Sequence, residues 1–513
     1  MKKQSFLEGA FVLTIAGFIN RLLGFFLRIL LVKTIGDEGL GLFQMVYPFY
    51  MTLLLLSTSG FPMAISKLIP EKLSQDNTNE AFNLLKVTII YVTIMGSLIG
   101  LFLFFSADFI AEHIYSDERI YFTLICIIPA LILCPLASSL RGFFQGFHTM
   151  IPTAISQVTE QINRIIATII LINMVSYLGL QYQSASIAIG ICVGELTGFL
   201  ILIYFFIKDF NSYEQTSIPN ITETFISKIK EISKIAVPVT VGRIINSLMT
   251  SGEAVLIPRQ LKISGKTITE ATSLYGQLSG MVMQVIFLPT VITIALTTSL
   301  IPNVSRDYSN DNIQKIKSNY QDIIRITTYL GLPITIIYYM HGRAICNFLF
   351  SFPEAGDILS ILAFSSTFIY FMQVSSGMLK GLGRPFLSLR NMALGSIIKL
   401  FGIYFLVQSY LGITGAAIAI TSGFIISAFL NFISIGNILG FDLNLNQTIL
   451  KPLCCSSLLF AINPYLSKFL NKVTHQNFYL KTSALLLLLI IIYLTTMYLL
   501  GAITSKDIER FKS

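Results

Sequence analysis

Thr58-Ser59-Gly60-Phe61-Pro62 returns as Thr298-Ser299-Leu300-Ile301-Pro302, and Leu140-Arg141-Gly142 as Leu379-Lys380-Gly381, both about 240 residues later. A third pair, Ile187-Ala188-Ile189 and Ile418-Ala419-Ile420, follows a Leu-Gly step in each copy, Leu178-Gly179 and Leu411-Gly412. Self-similarity at a nearly fixed offset marks an internal duplication. Around these stretches the chain is apolar: 54% of its 513 residues are hydrophobic and 12% charged, against about 25% charged in soluble domains. Apolar runs of about 20 residues, each able to cross a hydrocarbon core of about 30 Å, recur from near Phe6 to near Tyr479. About fourteen such runs are countable.

The expected fold is therefore an all-α polytopic membrane protein, with two six-helix lobes and two further C-terminal helices. Because each copy holds an even number of spans, the lobes enter from the same face and form a parallel repeat about the membrane normal. The expected division is 1–207 for the first lobe, 208–234 for a polar linker, 235–440 for the second lobe and 441–513 for the last two helices and tail. The linker carries Lys208, Glu214, Glu223, Lys228, Lys230 and Lys234 and reads as a tether with snorkelling lysines or an amphipathic helix at the lipid surface. The run from Ser5 to Leu31 is too long for a signal sequence and is read as a retained first helix.

With both termini on the cytoplasmic side of the cell membrane, the loops on that side hold about 21 of the 35 lysines and arginines and the opposite side about 9. The net charge of +9 then follows from orientation, and a nucleic-acid partner is not needed. Cys126, Cys134, Cys192, Cys346, Cys454 and Cys455 lie in or beside apolar runs without metal-ligand spacing. His113, His148, His341 and His475 are scattered. There is no dinucleotide fingerprint, phosphate-binding loop or nucleophile elbow, so neither metal, cofactor nor enzymatic activity is expected. An ion gradient, the membrane potential or the substrate's own gradient would drive any transport.

Charges inside apolar spans cost about 2.5–3.5 kcal/mol or more and need water or a partner. In the first span Arg21 and Arg28, seven residues apart, share one helix face with Asn20, and Gly24 lies between them. A guanidinium fork matches phosphate oxygens in pairs, so an anionic substrate is the simplest ligand. In the fifth span Glu160 and Arg164 are one turn apart and read either as an intrahelical ion pair or as a switch opened by substrate. Arg243 extends the cationic set. Glu195, Glu253 and Lys399 complete the intramembrane charges, and Lys399 falls at the Glu160 position of the second copy. Pro48, Pro62, Pro289 and Pro302 are candidate hinges, since proline removes an amide donor and permits a bend.

Phe6-Leu7-Glu8-Gly9-Ala10, Ile19-Asn20-Arg21-Leu22-Leu23-Gly24-Phe25, Ile35-Gly36-Asp37-Glu38-Gly39-Leu40-Gly41-Leu42, Pro62-Met63-Ala64-Ile65-Ser66-Lys67 and Leu140-Arg141-Gly142-Phe143-Phe144-Gln145-Gly146 together resemble the stage V sporulation protein B group of polysaccharide exporters. That group belongs to the superfamily of multidrug MATE transporters, oligosaccharide-lipid flippases and the lipid II flippase. The resemblance implies a fourteen-helix alternating-access flippase moving undecaprenyl-diphosphate-linked saccharide to the outer leaflet for spore cortex peptidoglycan. It implies a cavity arginine at Arg21, whereas a second family arginine meets Leu27, beside Arg28. Its implied partners are the lipid-linked oligosaccharide, membrane lipids and cell-wall synthesis enzymes. Two other readings stay open: a cation-coupled multidrug antiporter using Glu160, Glu195 or Glu253, and a non-transporting scaffold for cortex synthesis.

Overall fold

A computed structural model describes residues 6–210, 221–440, 446–473 and 477–501. Glu214 of the linker, Asp442, His475 and the two chain ends lie outside the described residues. Every regular element among the described residues is helical. In chain order they are α1 (Phe6–Thr58), α2 (Phe61–Leu73), α3 (Thr78–Phe109), α4 (Tyr121–Cys126), α5 (Ala130–Gly146), α6 (Ile151–Met174), α7 (Leu180–Phe210), α8 (Ile221–Ile263) and α9 (Ile268–Tyr275). There follow α10 (Met283–Phe287), α11 (Thr290–Ser309), α12 (Ile313–Phe350), α13 (Ala355–Gly381), α14 (Pro385–Gln408), α15 (Ile413–Leu439), α16 (Lys451–Val473) and α17 (Phe478–Leu499).

Among the described residues, 11 helices are long and apolar enough to cross a membrane, or 12 with the pair Ile268–Phe287 and Thr290–Ser309, which is bent by 53°. Two observations reconcile this with about fourteen spans. The segment Phe11–Leu73 counts as one candidate of 63 residues although it is long enough for two membrane crossings, and α6 has a span's length but is diluted by polar side chains. Within α1 the break is Gly36, at φ 72 and ψ −170, a backbone region that essentially only glycine enters. In a straight helix Arg28 and Tyr47 would stand about 28 Å apart, yet they are in electrostatic contact. The chain therefore folds back at Gly36.

The chain forms two compact units, Met1–Lys262 with Lys266–Gly276, and Ile263–Gly265 with Gln277–Ser513. This cut differs from the one drawn from the repeat, because α8 and α9 belong to the first unit. The first has a core of Phe61, Ile65, Leu84, Phe143, Phe144 and Leu202, thickened by Phe82, Phe147, Phe206 and Phe210, whose rings pack on Phe143 and on one another. The start of α8 is docked on this core through Phe225, Ile229, Ile232 and Ala236. It is pinned by Lys72–Glu231 at 2.9 Å, by Lys228–Glu231 at 3.1 Å and by a Lys228–Glu80 pair. The described part of the linker is thus a helix held by charge on the α2–α3 turn. The second unit has a core of Leu300, Val304, Ile324, Met378 and Leu379.

In lipid, helix association depends on close packing rather than on exclusion of water, which favours small residues at contacts. The α6–α7 contact shows this. A Cβ on Gly190 would sit 2.0 Å from Thr168 Oγ1, one on Gly194 2.8 Å from the Glu160 carbonyl oxygen, and one on Gly198 3.2 Å from Arg141 Nη2. The Gly190–Gly194–Gly198 stripe brings the two helices together where the buried charges lie.

Candidate functional site

The first unit gathers most of the intramembrane charge predicted from the sequence. On α1, at about 100° per residue, Arg21 lies about 20° from Arg28 and about 60° from Gly24, while Phe11, Leu22 and Phe26 lie about 80–140° from Arg21. Those three apolar side chains are exposed, whereas a Cβ on Gly24 would stand 3.7 Å from Gln161 Nε2 of α6. Arg28 and Arg21 thus flank the face of α1 that packs on α6. Arg21 is exposed. Arg28 Nη1 and Asn20 Oδ1 are buried with no hydrogen-bond partner. Neither arginine makes an ion pair with a described residue.

Beyond this face, α5, α6 and α7 enclose a four-residue charge network. Glu160 is shared: its Oε2 accepts from Arg141 Nη2 at 2.7 Å and its Oε1 accepts from Arg164 Nη2. Arg164 Nη2 also reaches Glu195 Oε1 at 3.3 Å, and Arg141 Nε donates to Ser156 Oγ at 3.2 Å. Two guanidiniums and two carboxylates leave the network formally neutral. It is not fully satisfied, because Arg164 Nε and Glu195 Oε2 are buried without partners. Tyr47 lies within electrostatic reach of both Arg28 and Arg164, so the α1 cations and the network border one another.

The pair Glu160–Arg164 occurs as the helical spacing requires, and Glu195 joins it from α7. Arg141 escaped the sequence reading. It stands in the repeated Leu-Arg-Gly stretch near the end of α5, where an arginine reads as a loop charge, and its relation to Glu160 is a tertiary contact. The Gly190–Gly194–Gly198 spacing beside Glu195 is the sequence signal that would have led to it.

Other predicted residues are placed elsewhere. Arg243 is exposed on α8 and Glu253 half-buried on the same helix. Near them Thr52 bonds Ser247 at 2.8 Å and Ser251 at 3.0 Å. Lys399 is buried on α14 in the second unit, with Nζ 5.4 Å from the Phe424 ring centre. About two turns away on the same helix, Asn391 donates to Asn431 and to Ser434, each at 3.0 Å. Pro48 lies inside α1. Pro62 lies in the first turn of α2, just past Ser59 and Gly60, both at positive φ. Pro289 stands between α10 and α11 at the 53° bend, and Pro302 lies inside α11.

At the other end of the first unit, α9 is tied to α1. Arg119 clamps Asp117 with Nε–Oδ1 and Nη2–Oδ2 at 2.8 Å each and also pairs with Glu38, while Ser273 bonds Asp37. A Cβ on Gly276 would fall 2.0 Å from the Asp37 carbonyl oxygen, and one on Gly41 2.1 Å from that of Thr272.

Residues 6–308 match the family model described as polysaccharide biosynthesis protein. The chain belongs to that family. Residues 279–405 also match the MatE model. The stage V sporulation protein B of Bacillus subtilis (strain 168) is 28% identical over 479 residues, covering 91% of each chain, in accord with the sequence motifs. Two solved structures have the same fold. The lipid II flippase MurJ in an inward closed conformation has a TM-score of 0.72 at 15% identity, covering 95% of this chain and 98% of its own. An inward-facing multidrug MATE transporter has a TM-score of 0.69 at 16% identity, covering 82% and 94%.

Proposed function

We propose that this family member is an alternating-access flippase for undecaprenyl-diphosphate-linked saccharide, a lipid II-like peptidoglycan precursor, and that it serves spore cortex synthesis. The reading is supported by one observation above others: the first span carries cations that no carboxylate among the described residues neutralises. Arg28 keeps a buried nitrogen and Asn20 a buried oxygen without partners, and Arg21 shares the flank of Arg28. An uncompensated guanidinium inside an apolar span calls for an anion, and a diphosphate supplies paired oxygens for the fork. The α5–α7 network, by contrast, is already neutral and acts as the scaffold behind that face. On this reading both termini lie in the cytoplasm, and the substrate enters from the inner leaflet while its prenyl chain stays in lipid.

The test is reconstitution into liposomes with fluorescent undecaprenyl-diphosphate-linked saccharide, with and without an imposed potential. Wild type and Arg306→Gln are expected to translocate it, and Arg21→Gln and Arg28→Gln to lose translocation while still inserting. Translocation at the wild-type rate in both α1 variants would remove the proposal. A second reading rests on Glu195 Oε2, a buried carboxylate oxygen without a hydrogen bond: a cation-coupled antiporter needs such an acid. Export of a cationic dye dependent on Glu195, without translocation of the lipid-linked saccharide, decides for it.

A further inference from the structure

The first unit holds a cavity of about 280 Å³ among α1, α2, α5, α6 and α8, lined by Arg141, Arg243, Thr58, Ser66, Thr240 and Gln157 among others. We propose that it is a subsite for a glycosyl phosphate, the sugar-phosphate portion of a headgroup. The assignment rests on the reading of the chain as a carrier of phosphate-linked saccharide.

Charge requires the anion. No acidic residue lines the cavity. Arg141 is compensated by Glu160, but only two of its five N–H donors are engaged there and at Ser156. Arg243 makes no ion pair with any described residue, so the cavity wall carries a net positive charge.

Hydrogen-bond polarity favours hydroxyl groups on the same ligand. Thr58 Oγ1 donates to the Leu54 carbonyl at 2.8 Å, Ser66 Oγ to that of Met63 at 2.8 Å and Thr240 Oγ1 to that of Ala236 at 2.7 Å. Each hydroxyl proton is committed to its own helix, which leaves oxygen lone pairs for the cavity. These three hydroxyls offer acceptors to a ligand, beside the donors of Arg141, Arg243, Gln145 and Gln157 on the same wall. A ligand with an anionic end for the guanidiniums and hydroxyl donors for the remaining wall satisfies both sides. The volume of about 280 Å³, at the small end of ligand pockets of about 300–1,000 Å³, suits a sugar phosphate.

The test titrates the full-length protein, in phosphatidylcholine nanodiscs, with N-acetylglucosamine 1-phosphate, inorganic phosphate and free N-acetylglucosamine. The sugar phosphate is expected to bind more tightly than either fragment. Arg243→Gln is expected to weaken it about tenfold or more, the effect of losing one charge-assisted hydrogen bond, while Arg306→Gln leaves it unchanged. Thr240→Val, which keeps the shape and removes one acceptor, is expected to reduce the preference for sugar phosphate over phosphate. Equal binding of sugar phosphate and phosphate by wild type, or wild-type binding by Arg243→Gln, overturns the assignment. A further arm adds undecaprenyl-diphosphate-linked saccharide to the nanodiscs. Displacement of the soluble probe supports the subsite with a lipid-borne occupant, and no displacement supports it with a soluble sugar phosphate. Arg243-dependent binding without translocation in liposomes leaves the subsite standing and removes the flippase reading, and translocation without such binding does the reverse.

Discussion

Replacing Glu160 by glutamine tests the α5–α7 network directly. The carboxylate accepts from Arg141 and from Arg164, and the side chains of the three are 11, 12 and 21% exposed. Without it, Arg164 keeps Glu195 at 3.3 Å and Arg141 keeps only Ser156, so one buried guanidinium loses its counter-charge. Breaking a buried pair by removing one partner costs about 3–5 kcal/mol. At about 2–4 °C per kcal/mol for a unit of this size, the apparent melting temperature falls by roughly 6–20 °C. The sequence contains no tryptophan but six cysteines, of which Cys192 in the first unit and Cys346 in the second are buried. A thiol-reactive dye on detergent-purified protein therefore follows unfolding of both units. The exposed pair Arg343–Asp357, bidentate at 2.6 and 2.7 Å, is the control, and Arg343→Gln should leave the transition where it is. Adding Arg141→Gln to Glu160→Gln restores neutrality as Arg164 with Glu195, so the double variant should recover much of the loss. A shift for Glu160→Gln no larger than that for Arg343→Gln, or a double variant worse than the sum of the singles, refutes the reasoning.

Arg28→Met removes a half-buried cation with one buried nitrogen unpartnered, so it is expected to raise the melting temperature while translocation falls; a less stable variant that still translocates contradicts the assignment. Gly36→Ala meets no atom within 4 Å and is expected to lose about 1–3 kcal/mol through backbone strain alone. Gly17→Ala, equally uncrowded and within ordinary helix, should instead gain about 0.5–1 kcal/mol; equal melting temperatures for the two would show that Gly36 is unstrained. Gly276→Ala drives a methyl group to within 2.0 Å of the Asp37 carbonyl oxygen and should detach α9 from α1, measurable as faster hydrogen exchange at Thr272 and Ser273; unchanged exchange there refutes the contact's importance.

Helical content and the approximate span positions were legible because apolar runs of membrane length leave few alternatives. The one-turn spacing of Glu160 and Arg164 was equally direct, since both lie on one helix. What escaped were contacts set by the meeting of helices. Arg141 reaches Glu160 from 19 residues away and Glu195 reaches Arg164 from 31, and neither separation has a period. The polar part of the linker reads by charge as a tether or an amphipathic helix at the lipid surface, but Phe225, Ile229, Ile232 and Ala236, at helical spacing, dock it on the first core. The nature of the first turn was hidden for a different reason: Gly36 acts through its φ and ψ, and one glycine among 34 carries no label for that.

The turn at Gly36 has a bearing on how the chain reaches the bilayer. With one residue as the whole connection, the opening pair of crossings has no slack by which one arm can be released while the other waits. They must leave the insertion machinery as a hairpin. Arg21 and Arg28 are then never left alone with acyl chains, because the returning arm, with Tyr47, accompanies them from the start. Lengthening the turn with a flexible insert would uncouple the arms and should show itself as poor membrane yield before any effect on transport is seen.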